Sequence, residues 1–304
     1  MPRPAVVTAI SVAALIIAAA VAWRVLARPG ISSVLSISAT RPSAKIKPEE
    51  ADATIKRSED RIAKYPDAPA SEEAYLDLAG AYEAKGELPR SKEAYRKFIE
   101  KFPSSNSLLK AQESLDGINV RMLFARDVTP GSVLYEVQKG DNLTRISKKF
   151  NTTVELFAKT NNIKGDAVRA GMKLKVPTVR FSIVVDKSQN ILTLKADGDV
   201  FKTYRVSTGK SATPTPAGTF KITNKIVDPP WYPPGRKAIP SGDPKNVLGS
   251  RWLGLSEPSY GLHGTIDPDS IGQSVTEGCV RLKNADVEEL YSIVPEGTEV
   301  VIVD

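Results

Sequence analysis

The sequence predicts a multidomain protein with an N-terminal transmembrane helix, an α-helical hairpin, a βααβ module and a mainly-β C-terminal domain. Three patterns support this fold class: an uncharged run opens the chain, apolar residues then recur at helical spacing, and short alternating runs follow from residue 181. With 304 residues and a hydrophobic fraction of 41%, the chain can bury at least one sizeable core. Disorder throughout is therefore excluded.

The first element is an uncharged run of nineteen residues from Ala5 to Trp23, long enough to span the hydrocarbon core of a bilayer. A cleaved signal peptide is the alternative, because the Ala-Val-Ala at 20–22 has the small-residue form of a cleavage site. We expect residues 1–28 to be a transmembrane anchor or signal peptide, and we favour an uncleaved anchor. Residues 29–48, rich in Ser, Ala, Pro and Lys, are expected to form an extended linker.

A helical spacer is predicted over residues 49–128. Apolar residues recur at helical spacing on both sides of Gly86, which indicates two antiparallel amphipathic helices, and a third helix precedes them. Tyr65-Pro66 returns as Phe102-Pro103, a period near that of a helical hairpin repeat. The segment resembles a tetratricopeptide repeat (TPR), and the matching positions are Leu78, Ala79, Tyr82, Gly86, Ala94, Tyr95, Phe98 and Pro103. It is either a plain spacer or a docking surface for an envelope protein.

Residues 133–178 predict a compact βααβ module. A first strand leads into a Gly-Asp turn, where Asp141 or Asn142 is available to cap the first of two short helices. The opening Val-x-x-Gly-Asp-x-Leu, the central Asn-Asn at 161–162 and the closing Gly-x-x-Leu-x-Val-Pro resemble a LysM domain. The resemblance implies binding to the N-acetylglucosamine-containing strands of peptidoglycan or chitin. A LysM fold without glycan affinity is the alternative.

The C-terminal region predicts an all-β barrel or sandwich. Alternating runs separated by Gly, Asn, Asp and Pro predict strands over Phe181–Asp186, Ile191–Lys195, Phe201–Ser207, Thr219–Asn224 and Glu299–Val303. Asn284 is expected to cap a short helix before the last strand. Residues 227–252 contain six prolines, too many for a central strand, so we interpret them as a semi-rigid lid over a cleft. An ordinary surface loop is the alternative.

The charge distribution argues against a nucleic-acid partner. The net charge of +7 is concentrated in residues 1–42, with +4, and in residues 131–180, with +6, and no recognition motif accompanies it. The excess instead favours attraction to an anionic membrane or wall polymer. A single cysteine excludes an intrachain disulfide and a cysteine-based zinc finger. No metal or organic cofactor is implied.

The only histidine, His263, and the only cysteine, Cys279, both lie in the β region, sixteen residues apart and each beside a glycine. A free thiol has a pKa of about 8.5 and needs a neighbouring imidazole, dipole or cation to become reactive at neutral pH. His263 is the only imidazole available. Taken alone, the two residues are better explained as a buried thiol and a satisfied core histidine, so the surrounding motifs decide.

Those motifs resemble the YkuD-type L,D-transpeptidase domain over residues 180–304. The matching segments, in chain order, are residues 207–210, 213–220, 231–234, 246–253, 261–265, 270–272 and 278–282. The resemblance implies a mainly-β catalytic domain in which Cys279 is the nucleophile and His263 its general base. The Gly264 carbonyl is the implied third member, which holds the imidazole in one tautomer.

The same resemblance implies groups that bind the oxyanion and the substrate. The Gly278 and Cys279 amides are expected to face the oxyanion, and Arg281 to stabilise the site or meet a substrate carboxylate. The further candidates for substrate binding are Thr276, Tyr260 and Trp231.

One position departs from the family pattern. Glu277 precedes the Gly-Cys pair where the family usually has histidine. We expect an ionised carboxylate at this position to raise the thiol pKa by like-charge repulsion, which would slow attack.

The implied activity is peptidoglycan L,D-transpeptidation, which places the protein in the bacterial cell envelope. Cys279 would accept the acyl group of a tetrapeptide stem with release of D-alanine, and an amine of another stem would then form a 3→3 crosslink. An L,D-carboxypeptidase and a transferase that attaches wall proteins are alternatives on the same site, and a non-catalytic wall-tethering scaffold is an alternative of another class. Because peptidoglycan lies outside the cytoplasmic membrane, we expect the periplasmic side of that membrane, or secretion if the leader is cleaved.

Overall fold

The computed structural model of the protein describes residues 46–165, 168–233 and 235–304. The chain divides into two compact units, the first ending at Asn119 and the second beginning at Val120. The transmembrane anchor or signal peptide predicted over residues 1–28 lies outside the described residues, as does most of the linker predicted over 29–48. Within the described ranges, no helix is long and apolar enough to cross a membrane.

The first unit is helical. Its helices are α1 (Pro48–Lys64), α2 (Glu72–Ala84), α3 (Leu88–Lys101) and the first part of α4 (Leu108–Phe124). The turn between α2 and α3 contains Gly86 at φ +76°, a conformation that glycine adopts without strain. The side chains that recur at helical spacing are buried, among them Ala74, Ala79, Tyr82, Ala94, Tyr95 and Phe98. The predicted pair of helices around Gly86, with a third before it, is confirmed.

The second unit contains the predicted βααβ module. Its elements are β1 (Ser132–Glu136), α5 (Leu143–Lys149), α6 (Val154–Thr160) and β2 (Lys173–Pro177), and the two strands pair antiparallel. Asn142 caps α5 by accepting a hydrogen bond from the Arg145 amide at 2.8 Å. Of the two predicted caps, Asp141 and Asn142, it is therefore Asn142 that caps the helix. Thr153 caps α6 in the same way, through the Leu156 amide at 2.8 Å.

The rest of the second unit is mainly β. Its strands are β3 (Phe181–Asp186), β4 (Ile191–Ala196), β5 (Asp199–Arg205), β6 (Thr208–Gly209), β7 (Gly218–Val227), β8 (Arg251–Leu255), β9 (Gly261–His263), β10 (Ser274–Thr276), β11 (Val280–Arg281) and β12 (Glu299–Val303). Eight of them form one mixed sheet in the order β11-β9-β8-β7-β12-β3-β4-β5, while β6 and β10 pair in parallel. The five strands predicted from alternation are present. The eight sheet strands form a single sheet, whereas the prediction named a barrel or sandwich.

One helix, α7 (Asn284–Ile293), follows β11 and packs against the sheet. The expected cap is wrong, because Asn284 is the first helical residue and Lys283, in the N-cap position, makes no side-chain cap. The amide of Asn284 is instead hydrogen-bonded to the loop after β9, as described below.

The βααβ module shares its core with the β domain. Leu156 of α6 is fully buried in the same hydrophobic cluster as Leu290 and Ile293 of α7. The Thr153 hydroxyl donates a hydrogen bond to the Ser292 carbonyl. Module and β domain are therefore packed together through α6 and α7 rather than joined only by the chain.

Candidate active site

His263 is the last residue of β9, and Cys279 immediately precedes β11. These strands pair in parallel, with Arg281 opposite His263 and Val280 opposite Leu262. Continuing this register by one residue places Cys279 beside Gly261, two positions before His263 on its neighbour. Because side chains two residues apart in a strand face the same side, Cys279, Arg281 and His263 share one face of the sheet.

His263 is buried and held in one orientation. Its Nδ1 lies 2.6 Å from the Gly264 carbonyl, a distance at which an N–H donates to that oxygen. Its ring stacks on Trp252, with centroids 6.1 Å apart and an interplanar angle of 18°. Burial lowers the pKa of His263 to about 4, and the hydrogen bond to Gly264 opposes this only in part. The imidazole is therefore neutral at neutral pH, with Nε2 as its proton-accepting nitrogen.

Cys279 is a free, half-buried thiol. Its Sγ lies 3.7 Å from the carbonyl oxygen of Ser259, in the turn that precedes β9. Burial raises the pKa of Cys279, while a hydrogen bond from the Gly261 backbone and the positive charge of Arg281 lower it. With His263 lowered and Cys279 raised, the resting pair is a neutral thiol and a neutral imidazole.

The loop before Cys279 is braced by Thr276. The Thr276 hydroxyl donates to the Cys279 carbonyl at 2.6 Å and accepts from the Gly278 amide at 3.2 Å. Thr276 is buried, and its hydroxyl braces this loop. The expectation that Thr276 binds the substrate is therefore not supported by its position. The Gly278 amide is likewise already paired, which corrects the expectation that it faces an oxyanion. Among the described residues, the Cys279 amide forms no hydrogen bond, so it remains available.

Tyr260 packs against this loop. Gly278 adopts φ +111°, and a Cβ there would lie 2.6 Å from Cε1 of the Tyr260 ring. Only glycine fits under the ring in this conformation. Tyr260 therefore lies against Gly278, the residue before Cys279, and its role in substrate binding stays a prediction.

Arg281 lies on β11, opposite His263. Its backbone exchanges two hydrogen bonds with Ser207, each of 2.8 Å, and its Nη1 donates to the Ser270 hydroxyl at 2.9 Å. Its charge lowers the pKa of both His263 and Cys279. The guanidinium is thus close enough to influence the proposed base and the proposed nucleophile.

Asn284 fixes the loop that follows His263, a role that the sequence did not reveal. Its Oδ1 accepts hydrogen bonds from the amides of Thr265 at 3.0 Å and Ser250 at 3.2 Å, and its Nδ2 donates to the Thr265 carbonyl at 2.9 Å. A Cβ at Gly264 would collide with Asn284 Oδ1. The glycine beside His263 was visible in the sequence, but its partner across the loop was not.

Glu277 is paired with Lys210 and Thr213. Its carboxylate pairs with Lys210 Nζ at 2.5 Å and accepts a hydrogen bond from the Thr213 hydroxyl at 3.1 Å. These hydrogen bonds lower the pKa of Glu277. Burial, Gly261 and Arg281 account for the shift of the Cys279 pKa, and Glu277 is not among its causes. The expected like-charge repulsion is therefore wrong.

Trp231 belongs to the proline-rich segment between β7 and β8. Its backbone pairs with Ile239 through hydrogen bonds of 2.8 and 2.7 Å. The buried Asn246 ties the segment together by donating to the Pro229 carbonyl at 2.9 Å and accepting from the Leu248 amide at 3.0 Å. In the described part of the chain, Trp231 makes no hydrogen bond or ring contact with His263 or Cys279. These bonds hold the segment together, and the role of Trp231 in substrate binding stays a prediction.

The chemistry that this arrangement offers is acyl transfer. It combines a nucleophile, a base whose tautomer is fixed by a carbonyl, and a free backbone amide beside the nucleophile. Within the described ranges, no group of three or more His, Cys, Asp or Glu side chains gathers to hold a metal ion.

Comparison with known proteins gives the same division of the second unit. Residues 180–302 match the L,D-transpeptidase catalytic domain YkuD, and residues 135–177 match the LysM domain. YkuD of Bacillus subtilis strain 168, named as an L,D-transpeptidase, is 37% identical over 174 residues, which cover 55% of this chain and 97% of that protein. The YkuD of Bacillus licheniformis is 37% identical over 177 residues, covering 56% and 98%.

A second L,D-transpeptidase of Bacillus subtilis, YqjB, is 39% identical over 127 residues, which cover 40% of this chain and 70% of that protein. The YkuD matches span nearly the full length of each relative. The chain belongs to the YkuD family of L,D-transpeptidases.

Proposed function

We propose that this protein crosslinks peptidoglycan by L,D-transpeptidation, with Cys279 as the nucleophile and His263 as the general base. The observation that carries the proposal is that the chain's only histidine ends β9 while its only cysteine immediately precedes β11, the strand paired with β9. The Gly264 carbonyl is the third member, because its contact with Nδ1 leaves Nε2 to accept the thiol proton.

In the first half-reaction, Cys279 Sγ attacks the carbonyl carbon of the third stem residue while its proton passes to Nε2 of His263. The oxyanion that forms is stabilised by the Cys279 amide. The bond to D-alanine then breaks, and His263 returns the proton to the leaving amine. The product is a thioester on Cys279 and free D-alanine.

In the second half-reaction, a side-chain amine of another stem attacks the thioester carbon. The amine gives a proton to His263, the carbon–sulfur bond breaks, and the thiolate takes that proton back. The new amide is a 3→3 crosslink. With water in place of the amine, the same steps release a shortened stem, as in an L,D-carboxypeptidase, and with a wall protein as acceptor they attach that protein.

The remaining regions have supporting roles in this proposal. The LysM domain binds the glycan strands, and the positive charge of residues 131–180 favours an anionic wall. The uncharged run at residues 5–23 anchors the chain in the cytoplasmic membrane, with the enzyme on the periplasmic side. The helices of the first unit form a TPR-like spacer, which is free to dock an envelope protein.

Intact-mass measurement after incubation with a carbapenem tests the enzyme directly. The wild-type protein is expected to gain the mass of one inhibitor, and Cys279→Ala none. His263→Ala should slow acylation, while Asp199→Asn, an exposed residue distant in sequence from the site, should leave it unchanged. D-alanine release from tetrapeptide stems should follow the same order. Absence of both the adduct and D-alanine release would favour a wall-tethering scaffold instead.

A further inference from the structure

The LysM domain contacts one end of α7 through its second helix, α6. Leu156 of α6 is fully buried in the hydrophobic cluster that contains Leu290 and Ile293 of α7. The Thr153 hydroxyl donates a hydrogen bond to the carbonyl of Ser292, in the last turn of α7. The carboxyl-terminal end of α7 is therefore held by two side chains that belong to the LysM domain.

The other end of α7 holds the loop that follows the proposed base. Asn284, the first residue of the helix, accepts hydrogen bonds from the amides of Ser250 at 3.2 Å and Thr265 at 3.0 Å. Its side chain also donates to the Thr265 carbonyl at 2.9 Å. Thr265 follows Gly264, whose carbonyl lies 2.6 Å from Nδ1 of His263. A movement of α7 therefore moves the group that orients the imidazole.

The helix joins these two contacts as a short, closely packed element. It contains ten residues, so its ends are about 15 Å apart at the rise of an α-helix. Val287, Leu290 and Ile293 of its inner face are fully buried in the core of the β domain. Because a close-packed core has low compressibility and transmits strain, a shift at the carboxyl-terminal end of α7 is passed on to Asn284.

Lys225 of β7 belongs to the same junction. Its Nζ donates to the Tyr291 carbonyl at 2.6 Å and lies 4.2 Å from the centre of the Tyr291 ring. Burial lowers the pKa of Lys225 to about 8, and the carboxylates of Glu155 and Glu296 oppose this shift. Glu155 is a residue of α6, so a carboxylate of the LysM domain lies close enough to act on the lysine that holds α7.

We propose that Thr153 and Leu156 of the LysM domain are positioning residues of the active site, because by holding α7 they keep His263 in its catalytic orientation. The inference rests on the proposed function and gives the LysM domain a part in the chemical step, separate from its binding of glycan strands. It follows that the LysM domain contributes to the rate even on a peptide substrate that contains no sugar.

A free tetrapeptide stem separates the two roles, because it offers no glycan to the LysM domain. Leu156→Ala and Thr153→Ala in the full chain are expected to lower kcat for D-alanine release about fivefold to tenfold, with KM changed less than about twofold. Thr153→Ser keeps the hydroxyl and should return most of the rate. Leu143→Ala is the matched control, because Leu143 is a buried leucine of α5 that packs in the core of the LysM domain itself. Its kcat should stay within about twofold of the wild-type value.

Titration of His263 shows whether the rate loss comes from the imidazole. His263 is the only histidine of the chain, so a single imidazole signal reports its protonation by NMR. Burial holds the pKa of His263 at about 4 in the wild type. In Leu156→Ala and Thr153→Ala we expect this pKa to rise toward the ordinary value of about 6.5, because a loosened loop admits water. The pKa of His263 in Thr153→Ser and Leu143→Ala should match that of the wild type.

An unchanged His263 pKa or an unchanged kcat in both Leu156→Ala and Thr153→Ala would overturn the inference. Equal changes in Leu143→Ala would also overturn it, because they would trace to a general loss of stability in the LysM domain. Failure of the proposed function looks different. The wild-type protein then releases no D-alanine from any stem, while the titration still reports on the connection between α6 and His263.

Discussion

The side-chain amide of Asn284 is hydrogen-bonded at both ends to the backbone of Thr265, through the Thr265 amide at 3.0 Å and the Thr265 carbonyl at 2.9 Å. Thr265 follows Gly264, whose carbonyl holds Nδ1 of His263. The position of the imidazole therefore depends on α7 through a single side chain that touches neither His263 nor Cys279 by hydrogen bonding.

Replacing Asn284 by alanine is expected to disturb the base without removing it. Asn284→Ala removes the acceptor of the Thr265 and Ser250 amides, which should lower the free energy of unfolding by about 0.5–1.5 kcal/mol because the site is partly open to water. The misplaced imidazole should also lower kcat for D-alanine release about tenfold or more, with little change in KM. Asn284→Asp keeps the acceptor oxygen, so we expect part of the rate to return.

The control for this experiment is Asn224→Ala, which removes an exposed asparagine of β7. The free energy of unfolding from urea denaturation and the kcat from steady-state kinetics should both be close to the wild-type values in Asn224→Ala. If Asn284→Ala lost the expected stability but kept the wild-type kcat, the contact would be structural only.

The buried imidazole makes stability depend on pH. Its pKa is about 4 in the folded protein and about 6.5 in the unfolded chain, so between these values only the unfolded chain binds the proton. The stabilisation is complete above about pH 6.5 and is lost as the pH falls toward 4, by an amount on the order of 3 kcal/mol. Chemical denaturation of wild type and His263→Gln across this window should give curves that converge at the acid end. Parallel curves would contradict a buried, neutral His263.

The Cys279 thiol should be protonated at neutral pH in the resting enzyme. Because burial raises the pKa of Cys279 and lowers that of His263, a thiolate–imidazolium pair is not the resting state. Alkylation by iodoacetamide is expected to rise steadily between about pH 6 and pH 9, following thiolate formation. A fast, pH-independent rate near pH 6 would mean that the ion pair forms before substrate binds.

The residue before the Gly-Cys pair is expected to have little influence on the chemistry. The Lys210–Glu277 ion pair is largely exposed, with 44% and 73% of the two side chains accessible, and its contribution should be less than about 1 kcal/mol. Alkylation of Cys279 in Glu277→Gln should therefore show nearly the wild-type pH dependence. Lys210→Gln, which removes the other partner of the ion pair, is the reciprocal control. A thiol pKa that is lower in Glu277→Gln than in wild type would show that Glu277 does repel the thiolate.

A buried lysine of the LysM domain ties the end of α4 to β2. Lys175 Nζ donates to the carbonyls of Ala125 at 2.8 Å and Met122 at 3.1 Å, and burial lowers its pKa. Lys175→Met keeps the aliphatic stem but leaves both carbonyls without this donor, which should cost about 1–3 kcal/mol.

Lys173→Met, exposed on the same strand, should change stability by less than about 0.5 kcal/mol. Thermal and urea denaturation of the two variants give the comparison. Equal midpoints would show that the buried bonds contribute nothing net.

Local patterns in the sequence were enough to predict most elements. The helices around Gly86, the βααβ module and the strands of the β domain follow from the spacing of apolar residues, because each period matches one kind of backbone. The cap at Asn142 was predictable because its partner, the Arg145 amide, is three residues away. Asn284 is also an asparagine at the start of a helix. Its partners, however, are the amides of Ser250 and Thr265, which are distant in sequence and cannot be predicted from the local pattern.

The sequence by itself determined which groups are available: one thiol, one imidazole, the glycines beside them and the motifs around them. The tertiary structure decided their states. Burial set the order of the two pKa values, the register of β9 against β11 put the pair on one face, and the long-range hydrogen bonds of Asn284 fixed the loop after His263. These are effects of chain segments that are distant in sequence, and local spacing carries no information about the solvent and charges that such segments bring together.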